Sequence, residues 1–131
     1  MTGTWKLNLA KSKLDKHVAI RSETLTISST DATIQFHYIT DDRESMRTYI
    51  ADGKERAAAE VKGVQSVATA TWRKSVLVIE EAGRSKIPGY TPDESEKFHV
   101  TDRWTLSSNG ISLTRDSNST EKHQVFVYDK E

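Results

Sequence analysis

Gly3-Thr4-Trp5-Lys6-Leu7 opens the chain and decides how the rest of it is read. A glycine lets the backbone bend sharply where it enters a sheet. Two residues on, the indole of Trp5 is large enough to plug one end of a barrel, and its N–H needs a partner once buried. Gly-x-Trp by itself occurs by chance in many sequences. Followed by a succession of short strands, it marks the start of an antiparallel β-barrel, and such a succession follows here.

Past the opening, Asn8 to Leu14 is a polar connection with room for a helical turn, and the segment on to Arg21 has no period and reads as loop. Glu23 to Ser29 alternates Leu25 and Ile27 against Thr24, Thr26 and Ser28, the period of a half-buried strand. After a turn at Thr30-Asp31, Thr33 to Thr40 alternates Ile34, Phe36 and Tyr38 against Gln35 and His37. Asp41-Asp42-Arg43 turns the chain again into a strand from Ser45 to Ala51, running through Met46, Thr48 and Ile50.

Asp52-Gly53 is the strongest local hairpin signal, because a tight primed turn needs positive φ at its central residues. Its second arm, Lys54 to Lys62, holds Ala57-Ala58-Ala59-Glu60, which is helical by propensity. Gly53 occupies the place where a helix cap would stand, so the arm reads as strand. Strands are then expected over Val64 to Trp72, Val76 to Glu81, Phe98 to Ser107, Ile111 to Arg115 and His123 to Tyr128. Asn109-Gly110 supplies a second tight hairpin. Gly83 to Lys97, holding Pro88, Pro92 and Tyr90, reads as a long loop beside the barrel mouth, expected to be the most mobile segment.

These eight to ten strands, with no convincing helix and no internal repeat, define an all-β fold, a single antiparallel up-and-down β-barrel. The 131 residues suit one domain, 1–131. Nineteen basic and nineteen acidic residues cancel without long blocks, which argues against a nucleic-acid partner and an anionic membrane surface. An apolar fraction of 35% suits a thin-walled barrel. With no cysteine, disulfides, thiol catalysis and thiolate metal sites are excluded. No stretch approaches the ~20 apolar residues of a membrane span. Met1-Thr2-Gly3 fits either a cytoplasmic protein or a mature domain with an added Met, and oligomeric state is left open.

Three stretches together resemble a known group. The opening Gly3 to Asn8 with Lys11-Ser12-Lys13, the Asp52-Gly53-Lys54 turn and the ending Val125 to Lys130 are similar to small bacterial lipocalin-like domain proteins. More distantly they resemble fatty-acid-binding proteins and lipocalins, the calycin group. The resemblance implies a lipocalin-like barrel whose first and last strands meet and whose lumen holds a small apolar molecule. Fatty-acid-binding proteins close the mouth with a helix-turn-helix after the first strand, and Leu9 to Arg21 is too short and unpatterned for one. They also hold the lipid carboxylate with an Arg two residues before the terminal Tyr; here Phe126 stands two before Tyr128, so that anchor is not supported. Lipocalins stack a late Arg on the Gly-x-Trp indole. Arg115 and Lys130 are both candidates for that role, and neither is assigned.

Asp102 is the most informative polar residue, being in phase with Phe98, Val100, Trp104 and Leu106. A carboxylate on an apolar face is costly unless paired or protonated. It is either a lumen acid serving as ligand anchor or general base, a structural ion pair with a nearby Arg, or an outward Asp at a bulge. Glu80 repeats the pattern beside Val76 and Val78 and is expected at a solvated rim. His37 and His99 alternate away from apolar sets, and with His17 and His123 they show no metal-ligand spacing, so no metal and no cofactor are expected. No nucleophile elbow accompanies the many serines. The expected ligand-binding set is Phe36, Tyr38, Trp72, Val78, Val100, Asp102, Trp104 and Tyr128, with Asp102 the catalytic candidate. Core filling is the competing account of the aromatic members. Three functions follow: a binder of an apolar or aromatic small molecule, a lumen enzyme (lyase, isomerase or cyclase) using Asp102, or a non-catalytic interaction module with a filled barrel.

Overall fold

The computed structural model describes residues 1–57, 64–85, 96–119 and 122–131. Ten strands run in chain order: β1 (Gly3–Leu7), β2 (Glu23–Thr30), β3 (Thr33–Thr40), β4 (Arg43–Ile50), β5 (Arg56–Ala57), β6 (Val64–Arg73), β7 (Val76–Ser85), β8 (Glu96–Leu106), β9 (Ser112–Ser119) and β10 (His123–Lys130). Among the described residues there is no helix, and none therefore long and apolar enough to cross a membrane. All pairings are antiparallel, and the sheet order β4-β3-β2-β1-β10-β9-β8-β7-β6-β5 is a meander joined through its two terminal strands. Trp5 lies opposite Lys130 and Leu7 opposite Tyr128, so the ends of the chain form the middle of the sheet.

The opening motif takes the form its residue types require. Gly3 adopts φ +142, open to a residue without Cβ. Trp5 is buried and its Nε1 donates to Met1 O at 2.9 Å, while the other indole face joins the core. Among the described residues that core draws on eight strands, β1 to β3 and β6 to β10, and includes Leu25, Ile27, Phe36, Leu77, Trp104, Leu113 and Tyr128. Leu14 and Ile20, from the connection after β1, pack against it. This connection holds no helix and is pinned to β10 by reciprocal backbone hydrogen bonds between Lys13 and Val125, both 2.8 Å. A hydroxyl reinforces the tie: Val127 N–H donates to Ser12 Oγ at 2.9 Å.

Several boundaries differ from the sequence reading. β7 runs on to Ser85 and β8 begins at Glu96, so the expected loop over Gly83 to Lys97 loses both ends to strand. The two strands pair along their whole length, and the ladder outweighs the turn character of Gly83. The remainder of that loop, and the Ala-rich run after Ala57, lie outside the described residues.

The larger correction is at Asp52-Gly53, which makes no β4–β5 hairpin. Gly53 has the expected positive φ, but its N–H donates to Ala70 O on β6 at 2.9 Å, and among the described residues β5 pairs only with β6. Asp52 is gripped by both Nη atoms of Arg56 at 2.6 Å, which holds its carboxyl well below the usual carboxylate range. The turn is therefore a corner. Among the described residues β4 and β6 approach without a ladder, so the sheet curls into a barrel left unlaced along one seam.

Candidate functional site

Inside the curl lies a cavity of 360 Å³, lined from β2, β3, β4, β7, β8 and β9. In a strand alternate residues face opposite sides, so each strand contributes every second side chain. One wall is aromatic. Phe36 packs on Trp104 with ring centroids 4.9 Å apart, meets Tyr49 edge-on at 5.8 Å and stacks with Tyr38 at 6.3 Å. Ile79 and Val100 complete the apolar lining.

The polar lining is organised into three groups. Arg115 on β9 donates through Nη2 to Asp102 Oδ2 on β8 at 3.0 Å, and both side chains are largely withdrawn from solvent. The same guanidinium lies over the Phe126 ring at 4.9 Å and the Trp104 ring at 5.5 Å. Burial works against its charge, but the neighbouring Tyr38 and Asp102 outweigh that and raise its pKa further, so it is a permanent cation. Among the described residues Asp102 Oδ1, Arg115 Nε and Trp104 Nε1 are buried without a partner. Glu23, buried on β2, forms the second group, accepting from Tyr128 Oη and from Thr40 Oγ1, each at 2.7 Å. Burial first and the Glu23 charge next push the Tyr128 phenol far above the ordinary tyrosine range, so it stays a donor. In the third group, Glu81 on β7 accepts from Ser66 Oγ at 2.9 Å and meets Arg47 of β4 at 3.5 Å.

Of the residues expected at the ligand, Phe36, Tyr38, Val100, Asp102 and Trp104 line this cavity. Tyr128 lies fully buried behind it, meeting the lining through its hydrogen bond to Glu23 and its stacking on Trp104. Trp72, in phase with Ala70, stands at the end of β6 and is 46% exposed. Val78 is buried on the other face of β7, because Ile79 and Glu81 are the positions that line the lumen. Glu80 is exposed, as a rim residue would be. β4 behaves likewise: Met46 and Ile50 are exposed while Arg47 and Tyr49 enter the lumen. Of the two cations considered for the Trp5 indole, Arg115 lies over Trp104 and Phe126 instead, and the Trp5 N–H goes to Met1 O.

Sequence reading missed Glu23, Arg47 and Glu81 as lining residues, and considered Arg115 only for the Trp5 indole. The signal was the same phase rule that found Asp102: Glu23 is two before Leu25, Glu81 two after Ile79, Arg115 two after Leu113. His37 pairs with Glu44 at 2.6 Å and His123 with Asp116 at 2.9 Å, both at the surface. Among the described residues no three His, Cys, Asp or Glu side chains group as a metal site would require. A second cavity of 220 Å³ opens at the seam, where Met46, Ile50, Ala57 and Ala70 meet Arg47 and Tyr49. The last two side chains stand in both cavities.

This architecture is the calycin one, that of the fatty-acid-binding proteins. The chain is similar over 100% of its length, and 96% of the other's, to a mutant of the fluorescent protein UnaG, with TM-score 0.70 and 17% identity. It is similar over 99% of its length to fatty-acid-binding protein 1 of Echinococcus granulosus, covering 96% of that chain with TM-score 0.69 and 13% identity. Apo lipid binding protein 8 of Caenorhabditis elegans is matched over 99% of this chain and 94% of its own, with TM-score 0.68 and 14% identity. No family model and no curated protein matches the sequence.

Proposed function

We propose that the protein is a small-molecule binder whose lumen takes one molecule with an apolar or aromatic body. The observation that carries this reading is the 360 Å³ cavity against the Phe36–Trp104–Tyr49 wall. Its size falls in the range of small-ligand sites, about 300–1,000 Å³. Two of the similar structures bear lipid- or fatty-acid-binding names, which supports an apolar body for the ligand. A barrel filled by its own side chains would lack such a space. Native mass spectrometry of freshly purified protein tests the proposal: a bound mass that is lost on replacing Phe36 with Trp supports it. A chain that carries no ligand and takes up no apolar probe refutes it.

The enzyme reading is kept by one observation, the unpartnered Asp102 Oδ1 beside the cavity. An extracted ligand that changes mass on incubation with the parent, and not with Asp102→Asn, would favour it.

A further inference from the structure

Charge balance in the lumen narrows the ligand class. Three carboxylates, Glu23, Glu81 and Asp102, line the cavity against two guanidiniums, Arg47 and Arg115. Arg115 is bonded to Asp102 and Arg47 to Glu81, while Glu23 is satisfied by two hydroxyls rather than a cation. Among the described residues the lining therefore carries one excess negative charge. A ligand carboxylate approaching Arg115 would meet Asp102 first, and in a partly dehydrated site that repulsion is poorly screened.

A cationic head fares no better. Asp102 already has Oδ2 engaged by a guanidinium that lies over two aromatic rings, and both Glu23 oxygens accept from hydroxyls. What the site offers is a fixed donor beside a fixed acceptor. Among the described residues Arg115 Nε finds no acceptor and Asp102 Oδ1 no donor, and both atoms are buried. Buried polar atoms without partners are costly, and a ligand that supplies both a carbonyl oxygen and an N–H relieves both at once.

We propose that the lumen selects an uncharged head group bearing one acceptor and one donor, of the carboxamide or lactam class, on an apolar body, and discriminates against fatty-acid carboxylates. This rests on the lumen-binding reading above. It makes Asp102 the specificity-determining residue: the guanidinium that would otherwise capture a carboxylate is already neutralised.

The test is calorimetric titration of the parent protein with decanamide, decanoate and decylamine, three heads on one chain. Decanamide should bind at least tenfold more tightly than either charged analogue. Asp102→Asn removes the negative charge that neutralises Arg115, and should raise decanoate affinity relative to decanamide by tenfold or more. A parent that prefers decanoate or decylamine overturns the inference while leaving lumen binding intact. Binding of none of the three overturns both. Should Asp102→Asn fail to fold, the parent ranking decides alone.

Discussion

Arg115 and Phe126 are direct cross-strand partners on β9 and β10, and the guanidinium lies 4.9 Å from the centre of the ring. The chain thus places a cation over the residue that stands two before Tyr128. The neighbouring strand supplies it, and β8 supplies the acid that neutralises it. A guanidinium over an aromatic face gains about 0.5–2 kcal/mol when desolvated, which helps hold Arg115 in one geometry.

Removing one member of this pair should cost more than the pair contributes. Arg115→Leu leaves Asp102 facing the lumen uncompensated and should lower stability by roughly 2–3 kcal/mol, less than the ~3–5 of a fully buried pair because both groups retain some exposure. Asp102→Asn keeps an acceptor for Nη2 and should cost about 1 kcal/mol. Urea unfolding of both variants checks the order; an Asn variant less stable than the Leu variant would contradict it.

Glu23, Tyr128 and Thr40 form one unit, so their substitutions should not add. Tyr128→Phe and Glu23→Gln should each lose about 1–3 kcal/mol by stranding a buried hydroxyl or carboxylate oxygen. The double variant should lose clearly less than the two together. Additive losses in a double-mutant cycle would mean the two side chains act independently.

Alkaline pH should destabilise the fold through its buried phenols. Burial raises the pKa of Tyr38, Tyr49 and Tyr128 alike, with the Glu23 charge adding to the effect at Tyr128. Above about pH 10 the unfolded chain releases these protons while the folded one keeps them. The unfolded state then binds fewer protons, and stability must fall as pH rises; below that point the contribution is fully present. Thermal melts between about pH 8 and about pH 11 should show the fall, with a shallower slope in Tyr128→Phe. Equal slopes would assign the effect to other groups.

Gly3→Ala tests the opening motif. A Cβ would meet nothing nearer than Trp5 Nε1 at 3.9 Å, so space is free and only the backbone at φ +142 objects. The expected loss is about 1 kcal/mol, seen as a lowered melting temperature with an unchanged sheet spectrum. An unchanged melting temperature would show that the bend does not need glycine.

Alternation and turn residues fixed the strands and their approximate order, because both are local: a period of two, a Gly or Asp at each bend, an aromatic plug at the start. Asp102 was legible for the same reason, as an acid within an apolar phase. Local pattern cannot say which face of a strand turns inward. On β7 the run Val76 to Glu81 is apolar on both sides, and only the curl of the sheet made Ile79 and Glu81 the lumen face and left Val78 outside. Partner choice is equally non-local. Asp52-Gly53 has the chemistry of a hairpin, yet Ala70 on β6 takes the Gly53 N–H. Arg115 gives no sign in sequence of the acid thirteen residues earlier that it will meet, and the β8–β9 register alone brings the two charges within 3.0 Å.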